Sequence, residues 1–150
     1  MERTLVLLKP DSVQRGLVGE VVSRIEKRGL KLAAIKLINV TENQAKLLYA
    51  EHAAKPFYGK LTAYITSNPV VAIVLEAEAA VKVVRDLIGD TNPLDAASGT
   101  VRGDYAMSVS FNMIHGSDSI ESAGREIGIF FQTNEIVSYS RVIDHWITGS

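Results

Sequence analysis

No cysteine occurs in the sequence, which excludes disulfide bridges, thiolate catalysis and cysteine-ligated metal centres. Only three histidines are present, so a histidine-rich metal cluster is not expected. Long apolar runs are also missing, since the N-terminal run Leu5–Leu8 ends at Lys9 and Pro10. A secretory signal needs an apolar run of about 7–15 residues, and a membrane span needs about 20. We therefore expect a soluble, cytoplasmic protein with no membrane partner.

The charge is nearly balanced, with 16 Lys and Arg against 17 Asp and Glu and a formal net charge of −1. This balance argues against a protein held on nucleic acid by bulk electrostatics, so no obligatory nucleic-acid partner is expected. Apolar residues make up 47% of the 150-residue chain, enough to fill a core and to exclude intrinsic disorder. No linker or internal repeat divides the chain, and we interpret residues 1–150 as one domain.

Apolar periodicity predicts four strands, at Arg3–Lys9, Leu30–Val40, Val70–Leu75 and Tyr105–Asn112. The third of these is the best candidate for a central strand, because it is apolar on both faces. Together with the helices between them, the strands predict an α+β fold: a ferredoxin-like sandwich with a four-stranded antiparallel sheet and helices gathered on one face. A doubly wound fold would need more strands than the pattern contains.

Helices are predicted from apolar stripes and from capping residues. They comprise one through Val18–Ile25 that Gly29 ends, one that Thr41 opens with Gln44 at a capping-box spacing, one through Ala80–Ile88 that Gly89 ends, and a last one capped by Asp118 and Glu121, with Ile120, Ala123, Ile127 and Phe130 facing inward. Residues 90–104 are predicted to form a long loop. Residues 132–150 carry no predicted element, and we expect Trp146 to pack against the domain or against a neighbouring subunit.

The segment Asn112–Asp118 carries the most informative pattern in the chain. Glycine-rich phosphate-binding motifs and the H-E-x-x-H zinc motif are absent, so any phosphate must be bound without a glycine-rich loop. His115 precedes Gly116, which permits a sharp turn or a close ligand approach. A neutral imidazole, with an unperturbed pKa of about 6.5, is a competent nucleophile near pH 7. Glu126, about two turns into the following helix, could orient the ring, although His115 could equally serve only to close a turn.

Other candidate residues have ordinary structural interpretations beside functional ones. Phe57 is compatible with a core position. Tyr49 and His52 share a helix face at i, i+3 and could pair with solvent or with a neighbour. Arg85 and Arg102, taken alone, are typical of solvated surface cations. Residue type and spacing therefore leave both interpretations open at these positions.

The pattern N-x-x-H-G-S-D over 112–118, with Glu126 downstream, resembles the active-site motif of nucleoside diphosphate kinases. Matching segments follow in the same order along the chain: Thr4–Asp11, Tyr49 with His52, Lys55–Tyr58, Arg85 with Gly89-x-Thr91-Asn92-Pro93, and Gly99–Asp104. The resemblance runs from residue 3 to about residue 131. Ala77, Ser98 and Phe111 depart from the family pattern, and none of them removes a functional group of the active site.

What the resemblance implies is a ping-pong transfer of the terminal phosphate from a nucleoside triphosphate to a nucleoside diphosphate through a phosphohistidine. His115 would be the nucleophile, oriented by Glu126 and Ser117. Lys9 and Asn112 would contact the sugar and, with His115, Glu126 and Ser117, make up the implied catalytic residues. The base would lie between Phe57 and Val109, with Leu61 at the rim. The residues implied to bind the phosphates are Lys9, Tyr49, His52, Arg85, Thr91 and Arg102. Two arginines and a lysine suit this chemistry, because phosphoryl transfer depends on positioning and on neutralising charge.

The resemblance also implies Mg²⁺ that arrives with the nucleotide phosphates rather than on dedicated protein ligands. The implied assembly is a homo-oligomer, with a hexamer favoured over a tetramer. One alternative is a catalytically silent relative that binds nucleotides or acts as a scaffold, against which the intact His115 and Glu126 argue. Another is a ferredoxin-like RNA-binding module, whose central strands would need aromatic residues that Val70–Leu75 lacks.

Overall fold

Four strands form one antiparallel sheet in the computed structural model, which describes residues 1–149. They are β1 (Glu2–Leu8), β2 (Lys31–Ile38), β3 (Val70–Ala77) and β4 (Ile114–Gly116), in the spatial order β2-β3-β1-β4. This order confirms the ferredoxin-like α+β fold. The first three strands begin and end within two residues of their predicted bounds. As predicted, β3 is a central strand, since it pairs with both β1 and β2.

In the described residues, eight α-helices connect and cover the strands. They are α1 (Pro10–Gln14), α2 (Val18–Lys27), α3 (Glu42–Leu48), α4 (Tyr58–Thr66), α5 (Ala80–Ile88), α6 (Val101–Tyr105), α7 (Ile120–Phe130) and α8 (Asp144–Thr148). The capping box is confirmed at α3, where the Thr41 and Gln44 side chains each accept a hydrogen bond from the other residue's backbone N–H. Within residues 1–149, no helix is both long enough and apolar enough to cross a membrane.

Apolar side chains pack on both faces of the sheet, because successive residues of a strand point to opposite sides. On β1, Leu5 and Leu7 join one buried cluster with residues of α3, α4 and α7. Val6 and Leu8 join a second buried cluster with residues of α2 and α5. The expectation that the helices gather on one face is therefore wrong. A sheet whose two central strands are apolar on both faces needs helices on both.

The predicted strand at Tyr105–Asn112 is wrong. Its alternating residues Met107, Val109 and Phe111 are all exposed, and the segment forms a tight turn in which the Phe111 N–H donates to Ser108 O at 3.1 Å. The fourth strand is β4, which lies just after it. Alternation of apolar and polar residues predicts a half-buried strand only when a neighbouring strand is available for pairing, and β4 takes the place beside β1.

Two segments predicted to lack regular structure contain short helices. Residues 90–104 hold a 3₁₀ turn at Pro93–Asp95 and the start of α6, which Thr100 caps by accepting from the Gly103 N–H. Residues 132–149 hold another 3₁₀ turn, Thr133–Glu135, and α8. These elements have three to five residues, too few to show an apolar period.

Three features of the C-terminal part of the chain differ from what was expected. The cap of α7 is Ser119, which accepts from the Ser122 N–H, rather than Asp118 with Glu121. Ile120 lies in the first turn of α7 and is 65% exposed, so it does not face the core. Trp146 is 80% exposed, which rules out packing against its own domain. Its contact with a neighbouring subunit stays a prediction.

Gly103 lies where α6 passes closest to the preceding turn, and a side chain there would collide with backbone. A Cβ atom on Gly103 would lie 2.0 Å from the Ala97 carbonyl oxygen. Because that carbonyl cannot swing aside as a flexible side chain can, we expect Gly103→Ala to lower the free energy of unfolding by about 2–3 kcal/mol. Gly128→Ala in α7 is the control, since its Cβ would meet no atom within 4 Å and alanine favours helix. Urea unfolding measures both, and equal midpoints would contradict the expectation.

Candidate active site

His115 lies in β4, with its side chain held by a buried carboxylate from α7. Its Nε2 atom lies 2.7 Å from Glu126 Oε1. The Ser117 hydroxyl donates to the same oxygen, also at 2.7 Å. Glu126 and Ser117 are both buried, whereas the His115 side chain remains 22% exposed. The imidazole is thus fixed at one nitrogen and accessible from solvent.

The ionisation of Glu126 decides which ring nitrogen of His115 carries the proton. Burial raises the pKa of this carboxyl, but hydrogen bonds from His115 and Ser117 and the nearby Arg125 charge outweigh that effect and hold the pKa below its usual value. Glu126 is therefore ionised near neutral pH and can only accept hydrogen bonds. It follows that the proton of a neutral His115 lies on Nε2. The lone pair then lies on Nδ1, the geometry required for nucleophilic attack from that nitrogen.

A strained turn connects Asn112 to the histidine strand. Met113 is fully buried and has a φ of +72°, the left-handed region that non-glycine residues rarely adopt. The Ile114 N–H donates to Asn112 O at 2.8 Å and closes a γ-turn around it. The Met113 carbonyl accepts from the Lys9 N–H at 2.8 Å and from the Ser12 hydroxyl at 2.6 Å. These two bonds hold the strained turn against the end of β1 and the start of α1.

A chain of hydrogen bonds joins three of the predicted site residues. Lys9 Nζ donates to Asn112 Oδ1 at 2.7 Å, across 103 positions of sequence. The Asn112 amide in turn donates to the Thr91 carbonyl at 3.0 Å. Lys9 and Asn112 are both buried, while Thr91 is exposed. Burial and the nearby Arg102 charge lower the pKa of Lys9 to about 8, although the Asp11 charge partly opposes this shift.

Both predicted arginines donate to backbone carbonyls of the histidine strand. Arg102 is buried and donates to three backbone carbonyls: Asn112 at 3.2 Å, Gly89 at 3.0 Å and Ile114 at 2.6 Å. A guanidinium has five N–H donors, so two remain for a ligand. Burial and the nearby Arg85 lower the pKa of Arg102 to about 10. Arg85 is exposed and donates to Gly116 O at 3.4 Å. The interpretation of Arg102 as a solvated surface cation is therefore wrong.

The residues predicted to hold phosphate and base from the other side lie on α3, α4 and the turns between them. Tyr49 is buried, and its hydroxyl has no hydrogen-bond partner within residues 1–149. Burial and the Glu126 charge raise the pKa of Tyr49. The His52 ring lies 5.5 Å from the ring of Phe57, and its buried Nδ1 atom also lacks a hydrogen-bond partner in the part of the chain that the structure describes. Phe57 is 46% exposed, so it is not a core residue.

The two remaining predicted base-site residues differ in exposure. Leu61 is partly buried and packs against the apolar cluster of α3, α4 and α7. Val109 is 55% exposed on the turn that precedes Asn112.

Dedicated metal ligands are missing from this region. No group of three or more His, Asp or Glu side chains that could hold a metal ion occurs in the described part of the chain. The buried charges that contact Asn112 are those of Lys9 and Arg102, and these two cations suit an anionic ligand.

Comparisons with known proteins fit this arrangement of a histidine, a carboxylate and buried cations. The family model for nucleoside diphosphate kinase matches residues 2–136. The nucleoside diphosphate kinase of Thermomicrobium roseum is 54% identical over 99% of this chain and 100% of that protein, and that of Archaeoglobus fulgidus is 53% identical over 98% and 97%. The chain belongs to the nucleoside diphosphate kinase family.

Solved structures of nucleoside diphosphate kinases agree with the fold. A family protein from Babesia bovis is similar with a TM-score of 0.95 and 41% identity, covering 98% of this chain and 99% of that chain. A halophilic nucleoside diphosphate kinase from Halobacterium salinarum, solved in complex with CDP, also has a TM-score of 0.95, with 46% identity and 97% coverage of both chains.

Membership of the nucleoside diphosphate kinase family makes the protein a nucleotide-binding transferase of the kinase class, whose activity is consistent with a divalent metal. The alternative interpretation as an RNA-binding module is therefore wrong, and the alternative of a catalytically silent relative is not favoured.

Two parts of this candidate site were not predicted from the sequence. One is the contact between Asp11 and Tyr64, whose hydroxyl donates to the carboxylate while its ring lies 5.9 Å from Lys9 Nζ. The other is Arg125, beside Glu126 on α7. For Tyr64, the sequence shows only an aromatic residue in an apolar helical segment. For Arg125, it shows only that the residue precedes Glu126. Neither signal indicates a partner that lies far away in sequence.

Proposed function

We propose that the protein transfers the terminal phosphate of a nucleoside triphosphate to a nucleoside diphosphate through a phosphohistidine on His115. The observation that carries this proposal is the bond of His115 Nε2 to Glu126, which leaves the Nδ1 lone pair free. In the first half-reaction, Nδ1 forms a bond to the γ-phosphorus while the bond from phosphorus to the bridging oxygen breaks and the diphosphate leaves. In the second, an oxygen of the acceptor diphosphate attacks the same phosphorus and restores the free histidine.

Glu126 and Ser117 act in this mechanism by orienting His115 and by keeping its proton on Nε2. Positive charge grows on the imidazole as the N–P bond forms, and the ionised carboxylate at 2.7 Å stabilises it. The γ-phosphate would reach His115 from its partly exposed side, whereas the Glu126 carboxylate is shielded from solvent. Because Nε2 is bonded to Glu126, we expect Nδ1 to react and Nε2 to remain protonated.

The cations of the site supply charge neutralisation for the transferred phosphoryl group. Lys9, Arg85 and Arg102, together with Thr91, Tyr49 and His52, are proposed to surround the phosphates. Arg102 is held rigidly by three carbonyls, so its two remaining N–H groups are pre-organised and lose little entropy on binding. The unpartnered Tyr49 hydroxyl and His52 Nδ1 support a place for polar ligand atoms there.

Sugar and base contacts are proposed from the same geometry. Lys9 and Asn112 already share a hydrogen bond and would turn their remaining donors towards the sugar. Phe57, with almost half of its surface exposed, would stack on the base opposite Val109, with Leu61 at the rim. Stacking on an aromatic ring does not discriminate between bases, so we expect the protein to accept several nucleotides.

Magnesium is proposed to enter with the nucleotide as part of the substrate. The phosphate oxygens would hold the ion, since residues 1–149 offer no cluster of His, Asp and Glu for it. Bound there, Mg²⁺ neutralises part of the phosphate charge and leaves positioning to the protein side chains.

Residues 1–150 are proposed to act as one nucleoside diphosphate kinase domain, in the cytoplasm, as a homo-oligomer with a hexamer favoured over a tetramer. Large apolar side chains that stay exposed support an assembly, notably Leu37 on the edge strand β2 and Val142 and Trp146 near the end of the chain. Light scattering of the purified protein decides the oligomeric state.

The proposed function is tested by separating its two half-reactions. The protein is incubated with γ-labelled ATP and Mg²⁺ without an acceptor, and we expect an acid-labile, base-stable label on the chain. After removal of nucleotides, addition of GDP or CDP should move the label to the nucleotide. A chain that acquires no label, or that keeps it when an acceptor is added, would refute the mechanism.

The lowered pKa of Lys9 predicts how kcat/KM changes at basic pH. Its ammonium, with a pKa lowered to about 8, is charged below that pH and neutral above it. Because phosphate binding needs the charged form, kcat/KM should fall as pH rises through about 8. Lys9→Arg should move this fall to higher pH, because the guanidinium stays charged. A wild-type profile that stays flat to about pH 10 would show that the Lys9 charge does not limit the reaction.

A further inference from the structure

Arg125 makes three contacts that join the histidine cluster to a second segment of the site. Its Nη2 atom lies 3.6 Å from Glu126 Oε2 and 3.5 Å from Glu51 Oε1. Its Nη1 atom donates to the Leu47 carbonyl at 3.0 Å. The Arg125 side chain is 40% exposed, so holding it in this position costs little desolvation. Apart from the charge that helps to lower the pKa of Glu126, Arg125 has no part in the roles described above.

The contact with Glu126 complements the one that holds the histidine. Oε1 of this carboxylate accepts from both His115 and Ser117, whereas Oε2 faces Arg125. The hydrogen bonds to Oε1 and the ion pair at Oε2 together oppose rotation of this buried carboxylate. With Arg125 removed, only the donors on Oε1 would oppose that rotation.

The contact with Leu47 links the same arginine to the segment that carries Tyr49 and His52. Leu47 lies in the last turn of α3, where backbone carbonyls have no partner within the helix. Arg125 supplies a charged donor to that carbonyl. The residues that directly follow α3 are Tyr49 and the 3₁₀ turn Ala50–His52. A single side chain therefore spans α3 and α7 beside the reacting histidine.

We propose that Arg125 is a positioning residue for phosphoryl transfer. It keeps the Glu126 carboxylate aligned with the His115 ring and links the end of α3 to α7. This inference rests on the proposed role of His115 as the phosphate acceptor. It predicts that loss of Arg125 slows phosphorylation of the histidine through Glu126, because the guanidinium itself does not contact the imidazole.

The experiment measures the rate of His115 labelling by γ-labelled ATP at saturating concentration, together with KM. Arg125→Met keeps the aliphatic stem and should slow labelling about tenfold with KM changed less than about twofold. Arg125→Lys keeps the charge and should return the rate to within about threefold of wild type. Arg141→Met is the matched control, since Arg141 also pairs with a carboxylate and a backbone carbonyl, at Asp144 and Gly29, away from the site.

A double-mutant cycle separates positioning from general loss of structure. If Arg125 acts through Glu126, the Arg125→Met, Glu126→Gln double variant should label as slowly as Glu126→Gln alone. The inference is overturned if Arg125→Met labels within about twofold of wild type, if its effect multiplies with that of Glu126→Gln, or if Arg141→Met loses as much. Wild-type protein that acquires no label would overturn the proposed function as well, so the two failures are distinguishable.

Discussion

Replacing His115 with glutamine is expected to abolish the phosphoenzyme and to lower turnover by at least about 10⁴-fold. Glutamine preserves polarity and approximate size but offers no nucleophilic lone pair, so the N–P bond cannot form. Substrate binding should persist, because Lys9, Arg85 and Arg102 are unchanged. The measurements are the acid-labile label after incubation with γ-labelled ATP and the steady-state rate with a diphosphate acceptor.

The matched control is His145→Gln. His145 lies on the short C-terminal helix α8, is exposed and contacts the ring of Trp146 at 4.7 Å between centroids. It should label and turn over like wild type. Equal labelling of His115→Gln and wild type would mean that another residue accepts the phosphate, and equal loss in His145→Gln would point to a global defect instead.

The second large effect is expected from the buried cations. Lys9→Ala and Arg102→Ala should each slow transfer by about 10²-fold or more, with a smaller effect on nucleotide binding, if both groups stabilise charge that develops in the transition state. Lys82→Ala serves as the control for the lysine, since Lys82 is exposed and pairs with Asp86 on α5. Single-turnover rates and dissociation constants measure the two effects separately.

The two cations differ in their expected effect on stability. Arg102→Ala leaves three backbone carbonyls without their charged donor, and we expect the free energy of unfolding to fall by about 3 kcal/mol or more. Lys9→Ala loses one bond to Asn112 and removes a charge whose burial is unfavourable, so its cost should be smaller. Unchanged turnover in both variants would exclude them from catalysis, and equal unfolding curves would contradict the structural role of Arg102.

Local signals in the sequence were sufficient where the structure depends on neighbouring residues. Thr41 and Gln44, three positions apart, predict the capping box, and the apolar run from Val70 predicts the central strand. His115 and Glu126 are 11 positions apart, and helical geometry was enough to bring the carboxylate within reach. Each of these features involves one element or two elements that follow each other in the sequence.

Long-range pairings were not accessible in the same way. The alternation at Met107, Val109 and Phe111 predicted a strand, yet strand formation depends on which partner edge is available, and β4 is paired there. The left-handed conformation of Met113 has no sequence signal, since it is imposed by bonds from Lys9 and Ser12, about one hundred positions away. The association of Lys9 with Asn112 came from the family resemblance, because spacing alone cannot bring distant positions together.

The position of β1 inside the sheet has a consequence for synthesis of the protein. This strand is made first, yet its two partners, β3 and β4, are made only after residues 70 and 114. Until both partners are made, Leu5–Leu8, which are fully buried in the folded protein, cannot be enclosed in a complete sheet. A chain interrupted before Ile114 therefore lacks His115, the proposed phosphate acceptor, and also exposes one edge of β1, so incomplete products should aggregate rather than show partial activity.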